Sequence, residues 1–150
     1  GVDQGLGALI WSPLAGGLLS GKYSRESQTL EDGRFAKGWN EPPIHDFERL
    51  WNIVDVLKDI AASKGISVAQ VSLAWTLSRP GVTSLVVGAR KLSQLQDNLQ
   101  SVDVVLTDEE KLRLNQVSQM PLLYPYWHQS RFIRNRMSEA DQVLLQGRGE

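Results

Sequence analysis

The chain has 150 residues, 41% of them hydrophobic and 22% charged, the balance of a soluble globular protein with one domain of ordinary size. Sixteen Lys and Arg against seventeen Asp and Glu give a formal net charge of -1, so no overall field draws the chain to nucleic acid or to an anionic membrane. Without cysteine there are no disulfides or thiolate metal sites, which fits a reducing, cytoplasmic setting, and no apolar run approaches the roughly 20 residues that span a bilayer.

The opening Gly1-Val2-Asp3-Gln4 has neither an initiator Met nor the order of a signal peptide, and it reads as a chain entered midway. Gly7 to Pro13 is a short apolar run stopped by proline, which predicts a parallel strand buried on both faces. From Leu14 to His45 no period is sustained, and Gly16, Gly17, Gly21, Gly33, Gly38, Pro42 and Pro43 punctuate the stretch; a loop of that length is usually functional. After an Asp46 cap, the spacing of Phe47, Leu50, Trp51, Val54, Leu57 and Ile60 predicts an amphipathic helix ending at Lys64-Gly65. Ser67 and Gln70 form the pattern of a capping box for a second helix, which should bury Val71, Ala74 and Trp75 and end at Arg79-Pro80-Gly81. Thr83 to Val87 reads as another strand, Leu92 to Leu99 as a helix, and Thr107 with Glu110 caps a last helix to about Ser118. Residues 119–150 form a tail rich in aromatics and arginines.

Strands alternating with helices imply a parallel sheet covered by helices. Two strands, however, leave too much edge and apolar face for independent stability, so the pattern argues for strands beyond these.

Two segments carry chemistry. Trp11-Ser12-Pro13-Leu14-Ala15-Gly16-Gly17 lies at the carboxyl end of the first strand, where parallel α/β folds place ligands. Small residues there let backbone N–H groups approach phosphate, Ser12 adds a hydroxyl and Trp11 a flat face; a tight turn around a buried Trp would look the same. Gly88-Ala89-Arg90-Lys91 again follows a strand and opens a helix on which Gln94, Asp97 and Asn98 share one face. Taken alone, that face also fits a solvated polar surface.

Together, the runs Ala8 to Tyr23 and Val86 to Leu99, with Ser67 to Trp75 between them in order and spacing, resemble the aldo-keto reductases over residues 5 to 118. The subgroup that looks most similar contains potassium-channel β-subunits and related bacterial reductases. The resemblance implies a (β/α)8 TIM barrel of which residues 1–150 are the carboxy-terminal part: the last two strands, their helices, and a tail, 119–150, over the barrel mouth. A barrel of about 250 residues agrees with the missing strands. By the same resemblance the cofactor is NADPH/NADP+ and the partner a small carbonyl substrate, with neither nucleic acid nor membrane involved and with room for assembly into a homo-oligomer. Trp11 would stack on the nicotinamide, and Ser12, Pro13, Leu14, Ala15 and Gly16 would line the nicotinamide and pyrophosphate. Lys22 and Arg34 would approach phosphate. Gly88, Arg90, Gln94, Asp97 and Asn98 would hold the adenosine and its 2′-phosphate, the Arg90 guanidinium suiting a choice of NADPH over NADH.

Family chemistry uses a Tyr proton donor assisted by Lys, Asp and His, all from earlier strands. Tyr23, Tyr124 and Tyr126 lack that context, so no residue of this chain is assigned to catalysis, and the 150 residues alone are expected not to reduce aldehydes. His45 and His128 have no ligand-spaced partner, which argues against a metal. Tyr126, Trp127 and Phe132 interleaved with Arg131, Arg134 and Arg136 resemble a single-strand binder, but the neutral chain and one short cluster argue against it, and the resemblance implies instead a tail over the barrel mouth. Besides an oxidoreductase, a cofactor-sensing regulatory subunit and an inert fragment remain compatible with these residues.

Overall fold

The longest apolar stripe in the sequence builds the largest helix. In the computed structural model, which describes residues 4–25 and 43–121 with Tyr124, Trp127, His128, Met137, Ser138 and Gln142, helix α1 spans Phe47–Lys64. The Asp46 carboxylate accepts from the Arg49 N–H at 2.9 Å, and Gly65 ends the helix by donating to the Ala61 and Ala62 carbonyls. Leu50, Trp51, Val54, Leu57 and Ile60 are buried as their spacing requires. Phe47, at the start of the same stripe, is exposed, because it sits in the first turn beyond the reach of the neighbouring helices.

Helix α2, Val68–Leu77, is apolar nearly all round and lies in the middle of the structure, with Val71 and Leu73 fully buried and Ala74 nearly so. Each aliphatic side chain of that size contributes about 1.5–3 kcal/mol on burial. Leu57, Ile60 and Ala61 of α1 meet Val71 and Ala74 of α2 and Leu114 of helix α4, Asp108–Ser118, in one cluster. Asn115 of α4 accepts from the Trp75 indole at 3.1 Å and from Arg79 at 2.5 Å, so α4 is tied to α2 by polar contacts as well.

Thr107 and Glu110 make both arms of the expected capping box at the start of α4. Partial burial raises the Glu110 carboxyl, but the Thr107 N–H and the Lys64 ammonium, 3.1 Å away, outweigh that, so it titrates below its ordinary 4.5. The capping box expected at α2 closes on one side only. Ser67 accepts from the Gln70 N–H at 3.1 Å, but the Gln70 side chain turns instead to Asp97 and Gln100.

Strand β1, Ala8–Trp11, pairs in parallel with β2, Val82–Val86, with Trp11 opposite Val86. β1 is shorter than the apolar run that predicted it, and β2 has the predicted five residues shifted by one toward the amino end. The expectation that β1 is buried on both faces is corrected. Leu9 and Trp11 are 69% and 68% exposed, because β2 covers only one edge and α2 packs on only one side of the pair. A 3-10 segment, Ala15–Ser20, follows β1, and its Leu18 joins Tyr23, Leu50, Trp51 and Val54 in a second cluster.

Helix α3, Leu92–Leu99, packs against α2 through polar residues: Asn98 is buried, while Leu92 and Leu99 face outward. Of Gln94, Asp97 and Asn98, only Asn98 is buried; Asp97 is half-buried and Gln94 exposed, so the face is solvated at its start and packed at its end. Arg34, and Tyr126, Arg131, Phe132, Arg134 and Arg136 of the tail, lie outside the described residues.

Candidate functional site

Because β1 and β2 run parallel and adjacent, the segments that leave their carboxyl ends emerge side by side. Between them lies a cavity of about 480 Å³, within the roughly 300–1,000 Å³ of small-molecule sites. Ser12, Pro13, Leu14, Gly16, Gly17, Ser20 and Lys22 line it from the first segment, and Val86, Val87, Gly88, Ala89 and Arg90 from the second. The start of α2 adds Ser67 and Ala69, and α3 adds Gln94, Asp97 and Asn98.

Of the thirteen expected residues, ten thus meet on one wall: Ser12, Pro13, Leu14, Gly16, Lys22, Gly88, Arg90, Gln94, Asp97 and Asn98. Trp11 and Ala15 do not line the cavity; Trp11 stands exposed on the uncovered face of β1, beside it in sequence but directed elsewhere. Residues that spacing did not single out are Gly17, Ser20, Ser67, Ala69, Val86, Val87 and Ala89. Most of these merely extend the two motifs. Ser67 and Ala69 come from α2, and only the helix start encoded by the capping pattern hinted that this element's amino end points at the site.

The first segment is an unusual turn. Ser12 and Ala15 have positive φ values of 51° and 48°, a strained conformation for residues with a Cβ, of the kind that concentrates at functional sites. The N–H groups of Ala15, Gly16 and Gly17 donate within the turn, to the Ser12 carbonyl, the Ser12 hydroxyl and the Leu14 carbonyl at 2.8, 3.3 and 2.8 Å. The turn also brings the Ser12 hydroxyl and the Lys22 side chain to the cavity. A Cβ on Gly17 would come within 2.8 Å of Lys22 Cε and Nζ, so the side chain of Lys22 lies directly over that glycine.

Lys22 and Tyr23 point to different places. Lys22 lines the cavity with its ammonium 5.3 Å from the centre of the Tyr23 ring, whereas the Tyr23 side chain is fully buried between the 3-10 segment and α1. Tyr23 does not line the cavity.

In the second segment, the Arg90 N–H donates to the Gln94 side chain at 3.2 Å, so Gln94 fixes the turn that presents Arg90. A Cβ on Gly88 would meet no atom within 4 Å and its φ is not in the left-handed region, so the fold itself does not demand glycine there.

Among the described residues the lining carries two cations, Lys22 and Arg90, and one carboxylate, Asp97, which accepts from Ser67 and Gln70 at 2.7 Å each. The net result is a cationic cleft at the carboxyl edge of a parallel sheet, suited to a phosphorylated ligand. An aromatic-ringed dinucleotide fits that donor set, and the open space over Gly88 leaves room for its backbone to approach.

The aldo/keto reductase family model matches residues 2–119, and the chain belongs to that family. It is 36% identical over 112 residues to a probable voltage-gated potassium channel subunit beta of Arabidopsis thaliana, covering 69% of this chain and 32% of that protein. It is 32% identical over 114 residues to an L-glyceraldehyde 3-phosphate reductase of Escherichia coli O157:H7, covering 73% of this chain and 32% of the relative. For a versiconal hemiacetal acetate reductase of Aspergillus parasiticus the figures are 34% over 109 residues, 73% and 31%. The chain thus spans about a third of the length of these relatives. Among the described residues, no helix is long and apolar enough to cross a membrane.

Proposed function

We propose that this chain is the NADPH-binding, carboxy-terminal part of an aldo-keto reductase that converts aldehydes or ketones to alcohols. The observation that carries the reading is the cavity in which Lys22 and Arg90 converge at the carboxyl ends of two adjacent parallel strands. In this reading β1 and β2 are the last two strands of a (β/α)8 barrel, and further βα units cover the apolar surface now exposed at Leu9, Leu92 and Leu99.

The nicotinamide cofactor supplies a hydride. The chain's own residues would bind and orient it: Lys22 would hold the phosphates, Ser12 would donate its hydroxyl, and Trp11 would offer its ring once the barrel is closed. Arg90 selects the 2′-phosphate. The proton donor and its Lys, Asp and His partners belong to earlier strands, so the 150 residues alone are not expected to turn over substrate.

The test is consumption of NADPH by the full-length protein on addition of a panel of small aldehydes. Turnover with saturable dependence on NADPH is expected. Absence of both turnover and NADPH binding would remove the proposal. Tight NADPH binding without turnover would instead favour a cofactor-sensing subunit, a reading supported by the 36% identity to a probable channel subunit.

A further inference from the structure

The turn that follows β1 gives the Lys22 side chain a floor to lie on. Gly17, which spacing did not single out, lines the cavity together with Lys22. Its φ is 100°, in the left-handed region, and its backbone is held on both sides. The Gly17 N–H donates to the Leu14 carbonyl at 2.8 Å, and its carbonyl accepts from the Ser20 hydroxyl at 2.6 Å. The glycine is thus a fixed surface, and a Cβ on it would stand 2.8 Å from both Cε and Nζ of Lys22, well inside ordinary contact. The same ammonium is 5.3 Å from the centre of the Tyr23 ring, and Tyr23 is fully buried, so the ring is a fixed neighbour too. Between them they give the last two atoms of a long, flexible side chain a defined seat on the cavity wall. A seat of this kind lowers the entropy that lysine loses when it orders around an anion.

The atoms that a Cβ at position 17 would meet are the free-swinging end of that side chain. Through this contact a substitution would not press on the packed interior; it would move the charge. We propose that Gly17 is a positioning residue for anion binding: having no side chain, it lets Lys22 lie across the turn and presents the ammonium to the phosphates of a dinucleotide. The proposal rests on the dinucleotide reading given above and adds a residue that acts through Lys22. Because the two bridging phosphates are common to NADPH and NADH, Gly17 serves both alike, in contrast to a residue that selects the 2′-phosphate.

The test is calorimetric titration of the full-length protein with NADPH and with NADH. Gly17→Ala is expected to weaken both by the same factor, about tenfold, and to make the remaining affinity less sensitive to added salt, since the displaced charge stands farther from the phosphates. In a Lys22→Met background, which keeps the aliphatic stem and removes the charge, the same substitution is expected to cost less than about twofold. A glycine that only shaped the turn would cost as much without the Lys22 charge as with it, so equal losses in the two backgrounds would overturn the proposal. Undiminished binding of both nucleotides by Gly17→Ala would overturn it as well. Alanine is strained at this φ, so Gly17→Asn is the second variant: asparagine visits positive φ more readily, carries the same Cβ, and should show the same dependence on Lys22. Gly65→Ala is the control for backbone strain, its φ being 65° with nothing within 4 Å of its Cβ among the described residues; it should leave both affinities unchanged, and a loss equal to that of Gly17→Ala would count against the proposal. If the unaltered protein binds neither nucleotide, the dinucleotide reading itself fails and this inference with it. If it binds them and the cost of the Gly17 variants does not depend on Lys22, only this inference fails.

Discussion

Gly21 joins the 3-10 segment of the site to the first turn of α2, and replacing it by alanine gives a stability change that can be worked out in advance. Its φ is 81°, in the left-handed region, where a side chain costs about 1–2 kcal/mol. A Cβ there would also sit 2.7 Å from Val68 Cγ2 and 2.8 Å from Val68 Cβ. Val68 is β-branched and held in a helix, so it cannot rotate away, and overpacking of this kind costs about 1–3 kcal/mol. The entropy removed from the unfolded chain returns about 0.4–1 kcal/mol. The net expectation for Gly21→Ala is a loss of about 2–4 kcal/mol. Gly65→Ala is the control: its φ is 65°, but its Cβ would meet nothing within 4 Å, so only the conformational part remains, about 1 kcal/mol. The assay is urea unfolding of the full-length protein, read as a shift in midpoint at constant slope. Equal losses for the two variants would refute the close packing of Gly21 on Val68. Recovery of part of the loss by Val68→Ala in the Gly21→Ala background would support it.

Gly88→Ala should leave the urea midpoint within about 0.5 kcal/mol of the original, since its Cβ meets no protein atom, yet weaken NADPH binding about tenfold or more. Unchanged affinity would show that nothing approaches over Gly88. Thr107→Ala removes the acceptor for the Glu110 N–H and should cost about 1 kcal/mol of stability, measured by the same unfolding assay. Glu110 titrates lower folded than unfolded, so its charge stabilises the fold above pH 4.5, and that contribution is lost as pH falls through the lowered folded value. Glu110→Gln retains an acceptor for the Thr107 N–H but not the charge. Its stability deficit should be constant at neutral pH and shrink on acidification below 4.5; a deficit that does not change with pH would exclude this role.

The helices were legible because their signals are local. Asp46, Ser67 and Thr107 each accept from the N–H three residues on, as their types and positions indicated, and the α1 stripe from Leu50 to Ile60 is buried. Both strands were legible as elements but not as environments. Leu9 and Trp11 read as core residues and are exposed, because burial on a strand's second face depends on elements that no local pattern encodes. The two ligand segments could be found from glycine, proline and charge after a strand, whereas their convergence with Ser67 and Ala69 depends on how α2 packs between them. Gln70 illustrates the limit. Its spacing from Ser67 fits a capping box, and only the approach of α3, about 30 residues later in sequence, offers its amide a charged acceptor instead. The polar face of α3 was likewise ambiguous: Gln94 is exposed, Asp97 half-buried and Asn98 buried, a gradient that spacing alone does not encode.

The measurement that bears most directly on the central claim is the pair of dissociation constants for NADPH and NADH in the full-length protein, with and without Arg90→Ala. A guanidinium held against a 2′-phosphate contributes about 1.5–3 kcal/mol, so the substitution should weaken NADPH roughly 10- to 100-fold and leave NADH nearly unchanged. Equal losses for both nucleotides, or no loss for either, would contradict the assignment of this cavity to NADPH.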